Sequence, residues 1–215
     1  MRCRRTPLAR VVGVTQTAPV LIIPGSPALV AELAPAHAAS RRLAEAAREA
    51  SAAFAARPVD IVCDLADDAY TSRTGSLAAW GAPQVTVSGG NYLGELVARY
   101  VLGSREFRLA RAEIGALDPR ALTVVVVDGP AGLTQRAPLA LVEDAPATHE
   151  ALEAFLAIGK YPLGEVDEAA LASAGVIRTR LWRELSLLSA SRTRLIDADD
   201  SLGVGRYVAE WEVRV

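Results

Sequence analysis

The sequence predicts an α/β protein, a three-layer sandwich in which a mixed, largely parallel central sheet is flanked by helices. Three observations carry that prediction. Segments such as Leu122 to Val127 (LTVVVV) and Val59 to Leu65 (VDIVCDL) are unbroken β-branched or apolar runs, the pattern of strands buried on both faces. Strand-like segments alternate with Ala-, Leu- and Glu-rich segments of helical character. The chain has 215 residues, 51% hydrophobic and 22% charged. At this size roughly 70% of the unfolded surface is buried on folding, enough for one sizeable core. A single domain is expected over residues 10–215, preceded by a loose basic tail at 1–9 (MRCRRTPLA).

The elements are read in order. Arg10 to Thr15 (RVVGVT) is a short β-branched strand, and Val20 to Ile23 (VLII) is a second apolar piece ended by Pro24-Gly25. Ser26 to Ala56 is helical, with Ser26 as N-cap, Pro27 at the first position and a break or kink at Pro35. Val59 to Leu65 is a buried strand, followed by the polar loop Ala66 to Gly75. Gln84 to Ser88 (QVTVS) alternates as a strand does. Gly89-Gly90-Asn91 then turns the chain into an amphipathic helix, Tyr92 to Leu102. Ser104 to Arg120 carries many charges and reads as a solvated helix and connection. Leu122 to Val127 is the central strand, closed by Asp128-Gly129-Pro130. A helix follows at Thr148 to Ile158, capped by Thr148. Val166 to Leu188 is helical in two pieces around Gly175, placed as a lid or as an oligomer interface. Arg194 to Asp197 and Arg206 to Val213 are late strands.

Composition excludes several functions. A net charge of −2 and 5% aromatic residues argue against a nucleic-acid binder, which needs a basic surface or stacking platforms. No run reaches the ~20 apolar residues of a spanning helix. Thr15, Gln16, Thr17 and Pro19 interrupt the only stretch that imitates a secretory signal. Two cysteines, Cys3 and Cys63, make no disulfide framework, and a reducing cytoplasm fits them. Lys160 is the only lysine among the 23 Lys and Arg residues, a bias of composition rather than chemistry.

Catalytic motifs are sparse. His37 (LAPAHAAS) and His149 (ATHEAL) are read as exposed or capping residues, without partners at metal-ligand spacing. There is no Gly-x-Ser-x-Gly elbow and no Ser-x-x-Lys. Gly89-Gly90 before a helix is read as a helix-entry turn rather than an anion loop. Carboxylates do gather after strands: Asp64, Asp67 and Asp68 after VDIVC, Asp128 after LTVVVV, then Glu143-Asp144. Ligands of open α/β sheets sit at such strand ends. Acids converging there can hold a cation, a cationic ligand or an arginine, although turn and capping chemistry is the commoner use of Asp.

The order of segments resembles the LigB-type superfamily of class III extradiol ring-cleavage dioxygenases, in its actinobacterial branch. Val12 to Pro24 (VGVTQTAPVLIIP), Gly75 to Gly81 (GSLAAWG), Val126 to Ala145 (VVDGPAGLTQRAPLALVEDA) and Gly203 to Trp211 (GVGRYVAEW) carry the likeness nearly end to end. The resemblance implies the sandwich fold and, in active members, a ferrous ion on two His and one Glu with a further His as acid/base catalyst. Those residues are missing here. Where the first loop of such proteins carries His in a Cys-Pro-His-Pro-Pro-like segment, the match places Thr15 to Pro19, with Thr17 at the ligand position. The loop Ala66 to Thr74 has no His. The Gly-Gly-Leu-Ser-His segment corresponds to Ala131 to Gln135, so Gln135 replaces the acid/base His, and an amide shuttles no proton near neutral pH.

The expectation is therefore a cytoplasmic LigB-like protein without its iron and without ring cleavage. It would bind a small polar ligand or a protein partner through Gln16, Thr17, Asp64, Asp68, Asp128, Thr134 and Gln135. No cofactor is expected. The alternative is a metal-assisted hydrolase or lyase with Mg²⁺ or Mn²⁺ on Asp64, Asp68 and Asp128, oxygen ligands that suit those ions. A dioxygenase-like oxidoreductase would return if iron were found. A third expectation is a purely structural subunit, since the dioxygenases this chain resembles form oligomers through this fold, and a homo-oligomer goes with it.

Overall fold

The computed structural model describes residues 16–215. The strand expected at Arg10 to Thr15 and the tail at 1–9 lie outside them. The elements are β1 (Thr17–Ile23), α1 (Ala38–Ala52), β2 (Val59–Val62), β3 (Ser76–Leu77), β4 (Ala82–Thr86), α2 (Leu93–Leu102), β5 (Leu122–Val126), α3 (Ala145–Ile158), α4 (Glu168–Ser173), α5 (Arg180–Ser186), β6 (Ala190–Asp199) and β7 (Arg206–Arg214). The protein is a mixed α/β fold around a five-stranded sheet ordered β2-β5-β1-β7-β6, with β3 and β4 as a separate small hairpin. β2, β5 and β1 run parallel, in the register Val59↔Leu122 and Val20↔Thr123. β7 is antiparallel to β1, and β6 returns as its hairpin partner.

Alternation along each strand sends neighbouring side chains to opposite faces. Leu21, Ile23, Ile61, Val124 and Val126 pack under α1 and α2. Val20, Ile22, Val62, Val125 and Val127 pack under α3 and α5 with Phe155, Trp182 and Trp211. Both faces of the sheet are thus buried, which is why the strands read as continuous apolar runs. No helix among the described residues is long and apolar enough to cross a membrane.

Several boundaries differ from expectation. β1 begins at Thr17, so Thr17 to Pro19 belong to a strand and not to a loop. Pro19 is tolerated because the parallel ladder to β5 starts only at Val20. Ser26 caps a short 3-10 turn (Pro27–Leu29), while α1 starts beyond Pro35 with His37 as its N-cap, the His37 ring accepting from Ser40 N–H at 3.1 Å. Ser104 to Arg120 holds no helix. It runs along the outer edge of β2, with bridges Val59↔Phe107 and Val62↔Arg111, and Arg108 N–H donates to the Val59 carbonyl at 2.9 Å. Pairing the open edge of β2 satisfies backbone groups that a solvated helix would leave bare. α3 starts at Ala145, one residue after Asp144 at the N-cap, which puts Thr148 inside the helix. The two helical pieces around Gly175 are α4 and α5.

The Gly89-Gly90 turn is a helix entry, as expected, and its anion is internal. Both glycines have positive φ, and the Glu95 carboxylate folds back to accept from Asn91 N–H at 3.1 Å while pairing with Arg99 at 2.7 Å. A Cβ on Gly90 would lie 2.8 Å from the Glu95 carboxyl carbon. Glu95 therefore occupies the place an external phosphate would need.

Candidate functional site

The connection leaving β1 passes to α1 on one face of the sheet, and the connection leaving β5 passes to α3 on the other. β1 and β5 are neighbours, so their carboxyl ends part to form a crevice, the place where open α/β sheets bind ligands. A cavity of about 760 Å³ fills it. Gly25 and Ser26 follow β1, Cys63 and Asp64 follow β2, and Val127 and Asp128 follow β5; all line the cavity. Ile177 to Leu181, from the connection into α5, form the opposite wall, with Leu202 and Val204 from the β6–β7 turn. The segment read as a lid or an interface thus supplies a wall.

Asp128 spans the crevice. Its Oδ2 accepts from Gly25 N–H at 3.2 Å, while its Oδ1 is shut off from solvent with no hydrogen-bond partner among the described residues. Its own carbonyl accepts from Trp182 Nε1–H at 2.9 Å, which fixes the turn from behind. Burial raises the Asp128 carboxyl to about 6, against the lowering influence of the Gly25 and Ser26 N–H groups and of Arg206. A Cβ on Gly25 would sit 3.0 Å from Asp128 Oδ2 and 3.2 Å from Val126 Cγ1, so a larger residue there would press on the Asp128 carboxyl.

Asp64 and Asp68 do converge, on an arginine. Arg178 Nε lies 2.7 Å from Asp64, and Arg178 Nη2 lies 2.6 Å from Asp68 Oδ2. The three residues are partly or fully exposed, so the bridge latches the loop after β2 to the connection before α5 without much energy. Arg178→Ala is accordingly expected to lower unfolding free energy by no more than about 1 kcal/mol, measured by urea titration; a loss several times larger would mean that the latch is part of the core. Asp64, Asp68 and Asp128 do not form a metal-ligating group, and no set of three or more His, Cys, Asp or Glu residues does so among the described residues. The Mg²⁺ or Mn²⁺ arrangement expected as the alternative is therefore not built.

The remaining sequence candidates lie elsewhere. Gln16 and Thr17 are exposed at the start of β1, about 20 Å of strand away from the crevice. Thr17 pairs with Arg214, and the Gln16 carbonyl accepts from Val215 N–H. Thr134 and Gln135 are exposed around a separate shallow depression with Arg136, Ser201 and Leu202. Glu143 and Asp144 are also exposed, beside the start of α3. Cys63 is buried on the cavity wall, and burial holds its thiol up at about 12, which makes it an inert hydrophobe rather than a nucleophile.

His149 departs from expectation. Its Nδ1 lies 2.6 Å from the Tyr207 hydroxyl and its Nε2 3.4 Å from Glu153, with the imidazole stacked on the phenol. Tyr207 is fully buried, and its hydroxyl lies so close to Gly129 and Gly205 that a Cβ at either would clash. Burial pushes the phenol well above its ordinary value. The Glu153–His149–Tyr207 chain therefore satisfies a buried hydroxyl behind the Asp128 turn; a phenol so hard to ionise does not serve as a base. The sequence candidates do not include Arg178, Trp182 or Tyr207. The one sequence signal for Arg178 is the expectation that converging acids can hold an arginine, which does not say which arginine.

No protein-family model matches this chain, and no curated protein matches it either.

Proposed function

We propose that the protein is a metal-free binder of a small organic molecule, which it takes up in the crevice between β1 and β5, on a LigB-like three-layer sandwich that has lost the iron site. The observation that carries this reading is the cavity itself: about 760 Å³ at the strand-end switch point, walled mainly by apolar side chains, with Asp128 in its lining. The two helical faces of the mixed sheet support the sandwich. Thr17, the residue compared with the ligand position of a His-bearing Cys-Pro-His-Pro-Pro-like segment, lies exposed at the start of β1 and carries no imidazole. Gln135 lies outside the cavity lining and supplies no acid/base group. Buried, free Cys63 supports a reducing compartment, the cytoplasm.

Thermal-shift measurements test the proposal in two arms, divalent ions (ferrous ion under anaerobic conditions included) and a library of small organic molecules. A ligand at about 100 times its Kd adds roughly 2.7 kcal/mol, a rise of several degrees for this size. The expected result is organic hits that raise Tm and lose their effect in Ala112→Trp, a variant whose indole plugs the cavity from a half-buried wall position. A saturable shift with ferrous ion, together with stoichiometric iron in the purified protein, would restore the oxygenase reading. A silent organic library would remove the cavity as a binding site.

A further inference from the structure

The charge on the cavity wall narrows the ligand class. Five charged residues line the cavity: Asp64, Asp68, Asp128, Arg178 and Arg180. Both cations are already doubly engaged, Arg178 by Asp64 and Asp68, and Arg180 by Glu113 and Glu184. Each guanidinium is thus already neutralised by two carboxylates, and an incoming carboxylate or phosphate would have to compete with both. The N–H of Gly25, the other natural anion donor at this strand end, is spent on Asp128. Asp128 has no ion-pair partner among the described residues, and although its Oδ1 is shut off from solvent, the residue is only partly buried and presents the rest of its surface to the cavity. The nearest cation acting on it, Arg206, is committed to Asp199 and to Ser40. One carboxylate is thus left uncompensated beside a surface built from Cys63, Leu93, Val126, Ile177, Leu181 and Leu202.

We infer that the crevice takes an organic monocation, an amine carried on a compact apolar body, with its ammonium set against Asp128 and its hydrocarbon against the apolar wall. The inference rests on the proposed reading of the cavity as a binding site. A cation supplies what the site lacks, and an anion would meet an uncompensated carboxylate in a partly desolvated crevice. A neutral molecule of the same shape keeps the apolar contacts and gains no charge pairing. The apolar wall also argues against an inorganic cation, because it provides no ring of oxygen ligands.

The experiment compares three probes of one shape on the whole chain by isothermal titration: 2-phenylethylamine, 2-phenylethanol and phenylacetate. The amine is expected to bind at least tenfold more tightly than the alcohol, with phenylacetate the weakest. In Asp128→Asn the amine is expected to fall to the level of the alcohol, while the alcohol changes little. Equal affinity for amine and alcohol, or the tightest binding for phenylacetate, overturns the monocation and leaves the cavity as a binding site. The ranking on the unmodified protein decides this even if the variant folds poorly. Failure of all three probes overturns the monocation as well, whereas the wider reading of the cavity falls only if the organic library is silent too.

Discussion

Asp128→Asn is expected to abolish a pH-dependent loss of stability of about 3 kcal/mol. The carboxyl stands at about 6 in the folded protein against an ordinary value of 3.8. Burial raises it, only partly offset by the Gly25 and Ser26 N–H groups and by Arg206. For an acid this sign means that the folded state prefers the protonated form. Between pH 3.8 and 6 the folded protein binds more protons than the unfolded chain, so the stability contributed by Asp128 is complete below the ordinary value and is lost as pH rises through the folded one. The difference in unfolding free energy between the unmodified protein and Asp128→Asn, followed by urea titration from about pH 3.5 to 8, should therefore drift against the unmodified protein by about 3 kcal/mol. A flat difference across that window would mean that the carboxyl is solvated and that the crevice is not the desolvated site described here. A monocation bound beside Asp128 would recover part of the loss at the alkaline end.

The second large effect is expected at Arg206, where the β6–β7 hairpin is clamped to the start of α1. Arg206 is fully buried and donates through Nη1 to Ser40 Oγ at 2.6 Å and through Nη2 to Asp199. Asp199 also accepts from Ser201 Oγ at 2.8 Å, and Ser201 reaches His37 Nε2 at 3.2 Å, which closes a ring back to Ser40. Burial alone would raise the Asp199 carboxyl; the bonds from Ser201 and Arg206 outweigh it and hold the group below its usual range. Arg206→Ala leaves that carboxylate buried without its cation, and is expected to cost about 3–5 kcal/mol, read from urea midpoints at constant m-value. The double variant Arg206→Met, Asp199→Leu removes both charges and should recover most of the loss. A single variant within about 1 kcal/mol of the unmodified protein would mean that the hairpin does not depend on this ring. Since Leu202 and Val204 of the same turn line the cavity, the clamp also fixes one wall of the site.

The parts of this molecule that the sequence makes legible are those that depend on local pattern. LTVVVV and VDIVC predict β5 and β2 because a strand buried on both faces admits no polar alternation. Pro35 and Gly175 mark helix breaks because their backbone chemistry acts where they stand. Asp64, Asp68 and Asp128 are legible as strand-end acids for the same reason. What those acids contact is decided by residues far along the chain: Arg178 lies 110 positions from Asp68 and Gly25 lies 103 from Asp128. Composition read Ser104 to Arg120 as a helix, but the unpaired edge of β2 claimed its backbone. The resemblance places Thr17 and Pro19 in a loop; the late start of the β5 ladder lets β1 include them, and this displaces Gln16 and Thr17 from the crevice. His149 reads as an exposed or capping residue at the opening of a helix, because Tyr207, whose buried hydroxyl it bonds, lies 58 positions later.

The central claim, a small organic molecule held between the ends of β1 and β5, is tested most directly by the indole and amide signals of the protein in a two-dimensional ¹H–¹⁵N spectrum. Trp182 Nε1–H donates to the Asp128 carbonyl behind the cavity, whereas Trp211 Nε1–H donates to the Leu156 carbonyl under α3. Trp182→Phe assigns the first of these signals by its loss. Binding in the crevice predicts that saturating 2-phenylethylamine, or any hit from the organic library, shifts the Trp182 indole and the Gly25 amide and leaves the Trp211 indole in place. Ligands that bind but leave Trp182 and Gly25 unmoved would place the site elsewhere and contradict the account.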